Sequence, residues 1–331
     1  MAEALTERGV FVTLAGSPDR VEAQLVPDAG FELDTFRISG FPRKPSVALA
    51  RALIRAAAAP PACRAILRRR RPDVVFGAGG YVAGPMVLAA ATMRIPAAVA
   101  EADAHLGLAN RLAAPFAKRI FLAYPITGRE GSKVRVVGRP IPARSRGISK
   151  EAGREIFELP AEGPVLLVTG ALAGAHTLNE VVIEAFGESG PAILHISGAR
   201  DYDALRRRVT RSDYRLIPST DRIGAAYSAA DLIVSRSGGS VWEMAAAGKP
   251  AVLVPYPFAT ADHQARNAEY FASAGGAIMV RELDVEDVPE HVRSLLRDPA
   301  RLHSMSEAML RVARPRAADE IAEELIALAR A

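Results

Sequence analysis

A single cysteine, Cys63, occurs in 331 residues, which excludes any internal disulfide and fits a chain kept in a reducing compartment. Long apolar runs are missing too. The longest uncharged, largely apolar stretch, 81–93, is interrupted by Gly84-Pro85 and falls short of the roughly 20 residues that a membrane-spanning helix needs. The opening MAEALTERG carries Glu3 and Glu7 and no apolar core, so no signal peptide is expected and any membrane contact should be peripheral. Neither sign of charge dominates. The 42 Lys and Arg against 37 Asp and Glu leave +5, an excess that suits nucleotides, phosphates or a lipid surface and calls for no nucleic acid. What is present is ordinary globular material, 50% apolar and 24% charged, over about two domains' worth of length. A small binding module is excluded.

Short apolar runs alternate with helical patterns, the signature of βαβ units and parallel sheets. Strands are expected at 10–15, 31–36, 73–77, 97–101, 119–123 and 134–138, and again at 165–170, 192–197, 214–218, 231–235, 251–255 and 277–280. The Pro- and Gly-bearing segment 138–147 reads as a linker, giving doubly wound domains over 1–140 and 141–314, with 315–331 a helix that can return to the first. A doubly wound domain ordinarily opens with a strand and a turn, whereas MAEALTERG reads as the end of a helix entering a strand.

The strongest constellation is SRSGGSVWEMAAAGKPAVLVPYP, 235–257. Gly238-Gly239 make a turn, Ser240 is an N-cap candidate, and Glu243 stands in the first turn of the helix that begins Val241-Trp242. Paired glycines let backbone amides approach a phosphate at a helix N-terminus, and Glu243 is suited to a ribose diol. The same residues also read as a plain turn with a favourable first-turn charge. Downstream, Asp262, His263, Gln264 and Asn267 open another helix at the same sheet edge, either as ligand contacts or as a cap and a solvated face. Further glycine turns stand at Gly170 and Gly174, and at Gly79-Gly80 before Tyr81. Thr220, after the strand at 214–218, joins the expected donor-side residues.

Glu101, Asp103 and His105 would share one face if their strand continued, but Asp103 is better placed as a cleft residue or cap, with Asn110 nearby, and no metal site is expected. Asp201-Tyr202-Asp203 has the form of a divalent-ion DxD pair, yet it opens a helix and is read as capping. In 41–71, Arg43, Lys44, Arg51 and Arg55 flank an apolar face that fits an anionic bilayer as well as it fits a core. Arg68 to Arg71 also read as a helix C-terminus.

Over nearly its whole length the chain resembles the MurG family, the peptidoglycan N-acetylglucosaminyltransferases that convert lipid I to lipid II. The resemblance rests on SPDRVEAQLVP (17–27), FRISGFPRK (36–44), RPDVVFGAGGYVAGP (71–85), LGLANRLAA (106–114), SRSGG with WEMAAAGKPAVLVP (235–255), and ATADHQARNAE (259–269). It implies two Rossmann-like domains of the GT-B architecture and a hexosyltransferase that needs no cofactor. The implied reaction is an inverting, metal-independent transfer of GlcNAc from UDP-GlcNAc to undecaprenyl-diphosphate-linked muropeptide at the cytoplasmic face of the membrane. Glu243 matches the family's ribose-binding glutamate and Gln264 one of two donor-sugar glutamines, the second being Ala265 here. The donor side would comprise Gly238, Gly239, Ser240, Val241, Trp242, Glu243, Asp262, Gln264, Gly170, Gly174 and Thr220. The acceptor side would comprise Gly79, Gly80, Tyr81, Asp103 and Asn110. Departures fall at Glu101-Ala102-Asp103, where the family reads EQN; at 170–175; and at Gly138-Arg139-Pro140-Ile141-Pro142. Arg139, Arg144 and Arg146 are candidates for the arginine displaced there. The family also opens with a strand and a GGTGGH turn whose His is the proposed base. This sequence starts beyond that point, the encoded start is expected upstream, and His105 and His263 are the remaining candidates for a base. Two alternatives stay open: a diacylglycerol-type acceptor, and a donor-binding chain that needs a partner for catalysis.

Overall fold

The computed structural model describes residues 1–38, 47–170 and 175–331, with side chains from residue 58 onward in the helix Val47–Arg70. All twelve expected runs form strands; most are trimmed at an end, the first starts later and runs on to Gly16, and the fourth keeps its expected bounds, 97–101. The chain divides into two compact units, Met1–Pro140 with Arg316–Ala331, and Ile141–Pro315.

In the second unit the strands are β7 (Val165–Thr169), β8 (Ala192–Ile196), β9 (Tyr214–Ile217), β10 (Leu232–Ser235), β11 (Ala251–Leu253) and β12 (Ala277–Met279). They make one parallel sheet in the order β12-β11-β10-β7-β8-β9. VLLVT in β7 and LIVS in β10 are buried at every position, as strands covered by helices on both faces must be. Thr169, Ser235 and Leu253 are in register, so the turns after β7, β10 and β11 emerge side by side at the carboxyl edge. That edge is where open α/β sheets bind ligands.

In the first unit the strands are β1 (Thr13–Gly16), β2 (Glu32–Thr35), β3 (Val75–Gly77), β4 (Ala97–Glu101), β5 (Arg119–Leu122) and β6 (Val134–Val136). All pairing is parallel, but the strands form two sheets, β1-β2 and β3-β4-β5-β6. The expected single doubly wound sheet is divided. The residues just ahead of β1 form the helix Ala2–Thr6, and no strand among the described residues joins β1 to β3. Phe36, Val75, Val87 and Val99 nonetheless share one core, which also encloses Cys63, whose thiol burial pushes up to about 12. The C-terminal helix Ala317–Arg330 lays Ile321 and Leu325, one turn apart, against Ala98, Phe121 and Val137. Arg8–Asp319 (2.6 Å) and Arg119–Glu324 (2.7 Å) bridge its flanks.

The basic run at 68–71 is partly consumed within this unit. Arg69 and Arg70 bond the buried Asp34 carboxylate at 2.5 and 2.8 Å, and Arg70 also reaches Glu32. The Arg70 and Arg69 guanidiniums hold the Asp34 carboxyl below the usual range against the opposing effect of burial. These arginines therefore tie β2 to the helix Val47–Arg70 instead of forming a free basic face. Arg43 and Lys44, and the side chains of Arg51 and Arg55, lie outside the described residues.

Candidate active site

Glu243 stands in the first turn of the helix Val241–Ala246, directly after the turn that leaves β10. Its Oε2 accepts a 2.7 Å hydrogen bond from Ser145 Oγ and a longer one, 3.4 Å, from the Tyr227 hydroxyl. Ser145 and Tyr227 are both buried. Burial first, and then the charge of Glu243, push the Tyr227 phenol well above its ordinary pKa, so it stays a donor. Ser145 closes the short 3-10 turn Ala143–Ser145, which lies against the helix Ile223–Ala229. Ile148 N–H donates to Ser228 Oγ at 3.0 Å, and a Cβ on Gly224 would come within 2.2 Å of the Arg146 carbonyl oxygen. Only glycine permits that approach. Arg144 and Arg146 are exposed on this segment and Arg139 is half-buried.

Neighbouring residues fall into different roles from those expected. Val241 and Trp242 are buried, the indole packed edge-on against Phe271 at 5.2 Å, so their side chains support the helix from the core and do not face a ligand. Ser240 occupies the expected N-cap position, but with helical backbone angles and without a side-chain cap bond. Gly238 faces open space: a Cβ there would meet nothing within 4 Å.

Gln264 stands in the first turn of the helix His263–Ser273, which follows the neighbouring strand β11. Its Oε1 accepts from Tyr256 N–H at 2.9 Å, which fixes the orientation of the carboxamide. Its own carbonyl accepts from Ser237 Oγ at 2.8 Å, and Asn267 Nδ2 donates to the Ser237 carbonyl. Asp262 sits at the N-cap of the helix His263–Ser273 but makes no cap bond. Ala261 and Asp262 both adopt left-handed backbone at φ 53°, a conformation costing non-glycine residues about 1–2 kcal/mol each and concentrated at functional sites. His263 Nδ1 donates to the Thr260 carbonyl at 2.9 Å. Arg236, just after β10, is buried and paired with Glu282 (Nη2 to Oε1, 3.0 Å), and it also bonds the carbonyls of Val254 and Pro255.

Gly170 directly follows β7 and is buried, whereas Gly174 lies outside the described residues. Thr220 Oγ1 accepts from Arg222 N–H at 3.0 Å and closes the turn before the helix Ile223–Ala229. Asp201 does not cap its helix. It accepts from Asn179 at 3.0 Å and from Arg200 at 3.1 Å, with His176 3.4 Å away.

Behind it, His195 is fully buried between Tyr214 OH (2.7 Å) and Asn179 Oδ1 (2.9 Å). Burial pushes its pKa from 6.5 down to about 3, with Asp201 pulling the other way. The unfolded chain binds this proton below pH 6.5 and the folded chain does not. The stability contributed is therefore complete above 6.5 and is lost as pH falls towards 3, at about 1.4 kcal/mol per pH unit. In denaturant titrations, His195→Gln should lose less stability between pH 6.5 and 4 than the parent chain; an equal loss would refute this.

In the first unit, Gly79 (φ 100°) and Gly80 (φ 71°) open the helix Gly80–Thr92. Beside them the buried Asn110 donates from Nδ2 to the Ala100 carbonyl (2.9 Å) and to Glu101 Oε2 (3.0 Å). Its buried Oδ1 has no hydrogen-bond partner among the described residues. Glu101 accepts from the backbone amides of Ala102, Asp103 and Gly107, so it ties down the loop 102–107. β4 ends at Glu101 and the next helix starts at Leu108 after an N-cap at Gly107. Asp103 and His105 therefore share no strand face with Glu101, and Asp103 caps no helix. Tyr81 is half-buried at the start of its helix.

Residues 1–122 match the glycosyltransferase family 28 N-terminal domain and residues 165–321 the glycosyltransferase family 28 C-terminal domain. A protein of Rubrobacter xylanophilus named UDP-N-acetylglucosamine--N-acetylmuramyl-(pentapeptide) pyrophosphoryl-undecaprenol N-acetylglucosamine transferase is 37% identical over 335 residues, covering 100% of this chain and 99% of the relative. The chain belongs to the MurG family. A relative of the same name from Halothermothrix orenii is 34% identical, covering 95% of this chain and 90% of its own length. The crystal structure of Acinetobacter baumannii MurG is similar with a TM-score of 0.79 at 26% identity, covering 98% and 93% of the two chains. Two side chains of this MurG-family site carried no signal in the sequence. Ser145 lies in a stretch without periodicity and Tyr227 in an Ala-rich helix, and only the fold brings them to Glu243.

Proposed function

We propose that the chain transfers GlcNAc from UDP-GlcNAc to the C4 hydroxyl of undecaprenyl-diphosphate-linked N-acetylmuramyl-pentapeptide. The observation that carries the reading is the pairing, at one sheet edge, of a held carboxylate at Glu243 with the oriented carboxamide of Gln264. A carboxylate accepts from a ribose diol, and a carboxamide NH₂ donates to sugar hydroxyls. Attack by the acceptor hydroxyl oxygen at the anomeric carbon forms the new glycosidic bond while its proton passes to a general base, for which His105 and His263 are this chain's candidates. The bond to the diphosphate breaks, and UDP leaves with the electron pair. In the first unit, the Gly79-Gly80 helix N-terminus supplies amide donors suited to the diphosphate of the lipid-linked substrate.

The chain acts at a membrane surface through that first unit. Leu108, Leu112 and Phe116 recur every four residues and are each at least half exposed, with Arg111 and Lys118 exposed among them. An apolar ridge flanked by cations suits an anionic bilayer. No helix among the described residues is long and apolar enough to cross one. Replacing both Leu112 and Phe116 by Glu is expected to weaken partitioning onto phosphatidylglycerol vesicles, measured by co-sedimentation, about a thousandfold, since about 2 kcal/mol of burial is lost per side chain, about 4 kcal/mol for the two. Unchanged sedimentation would remove this surface from the proposal.

The activity is tested by incubating the chain with UDP-GlcNAc and either lipid-linked muropeptide or diacylglycerol. A disaccharide-bearing product is expected from the first acceptor alone. Product from diacylglycerol instead, or no calorimetric binding of UDP-GlcNAc, would overturn the reading.

A further inference from the structure

Glu243 is half-buried at the donor edge, and two hydroxyls converge on one of its two carboxylate oxygens. Neither belongs to the strand-turn-helix that carries Glu243. Ser145 comes from the segment that enters the second unit at Ile141, and Tyr227 from the helix Ile223–Ala229. Ser145 is 5% exposed and Tyr227 1% exposed, so both hydroxyls are shielded from water. The Ser145 backbone is fixed in turn. Gly224 admits the Arg146 carbonyl against the helix, and Ser228 Oγ holds Ile148 N–H. A glutamate on a helix of six residues has three free side-chain torsions, and without these donors its carboxylate would sample several rotamers.

We infer that Ser145, with Tyr227 beside it, is a positioning residue for the nucleotide: it holds Oε2 of Glu243 so that Oε1 faces the ribose diol of the donor. The inference rests on the proposed ribose role of Glu243. The two hydroxyls select one carboxylate rotamer before the ligand arrives, so the nucleotide meets an ordered acceptor and binding orders one side chain fewer. The linker segment is thereby part of the nucleotide site although it offers the ligand nothing directly. Tyr227, at the longer distance, contributes the smaller share.

The test is calorimetry on the full chain with uridine diphosphate and with 2′,3′-dideoxyuridine diphosphate. Ser145→Ala should weaken uridine diphosphate binding about tenfold, the worth of one hydrogen bond to a charged group. Affinity for the dideoxy ligand should stay within twofold, because no diol is present to use the ordered carboxylate. Tyr227→Phe should show the same selectivity with a loss of about threefold. A general structural defect would lower both affinities together, and that result would overturn the inference, as would a Ser145→Ala chain that keeps the full preference for the diol. If the unaltered chain binds both ligands equally, the ribose role of Glu243 fails first and takes this inference with it.

Discussion

Replacing Glu243 by Ala is expected to weaken UDP-GlcNAc binding roughly a hundredfold, measured by calorimetry. The carboxylate accepts hydrogen bonds from a diol, and charge-assisted bonds contribute about 1.5–3 kcal/mol each, so about 3 kcal/mol is lost. A second effect accompanies it. Ser145 Oγ and the Tyr227 hydroxyl would both lose their acceptor in a buried setting, which costs the fold about 1–3 kcal/mol on its own. Glu243→Gln separates the two, because its carboxamide oxygen still accepts from Ser145 while the negative charge is gone. Gln at this position should therefore recover most of the denaturant stability and only part of the affinity. Unchanged UDP-GlcNAc affinity in the Ala variant would remove Glu243 from the donor site.

The largest stability effect is expected at Arg236. Its guanidinium is 8% exposed and its partner carboxylate on Glu282 19% exposed, and the pair sits between the end of β10 and the Val254 and Pro255 carbonyls. Burial alone would raise the Glu282 pKa. Hydrogen bonds from Arg236 and Thr177 overcome it and hold the carboxyl below the ordinary range. Arg236→Ala strands that carboxylate and should cost about 3–5 kcal/mol in urea unfolding. Exchanging both partners for apolar residues of similar volume, Arg236→Met with Glu282→Leu, should recover much of the loss, because no charge is then left buried. A double variant no more stable than the single one would show that the guanidinium bonds to Val254 and Pro255 matter more than the ion pair. Donor affinity should also fall in the single variant, since Ser237, the next residue, anchors the Gln264 carbonyl.

The strands of the second sheet's centre were the most legible, because β7 (VLLVT), β10 (LIVS) and β11 (AVL) are short continuous apolar runs, which is what strands covered on both faces require, whereas β2 (ELDT) and β6 (VRV) are largely polar and partly exposed. Glu243 and Gln264 were legible for a related reason: both follow strands whose carboxyl ends define the ligand edge. Ser240 and Asp262 stand at the N-cap positions expected of them but make no side-chain cap bond, and Asp201, read as capping, bonds Asn179 and Arg200 instead. Each is a residue type that caps helices, yet whether its oxygen meets an amide depends on backbone angles that composition does not set. Val241 and Trp242, which the resemblance puts on the donor side, send their side chains into the core, because helical geometry turns successive side chains about 100° apart and only Glu243 of the three is left partly exposed. The divided sheet of the first unit had a trace in the sequence, since the opening residues read as helix where such a domain has a strand.

Composition and the order of apolar runs were enough to establish the parallel α/β architecture, the carboxyl edge of the second sheet and the two side chains proposed to meet the donor, because these follow from local periodicity and the chirality of βα turns. The partners of those side chains were not accessible that way. Ser145 lies 98 residues from Glu243 and Arg236 lies 46 from Glu282. A hydrogen bond between residues so far apart is set by how helices and loops close over the sheet, and nothing in the neighbourhood of either residue along the chain encodes it.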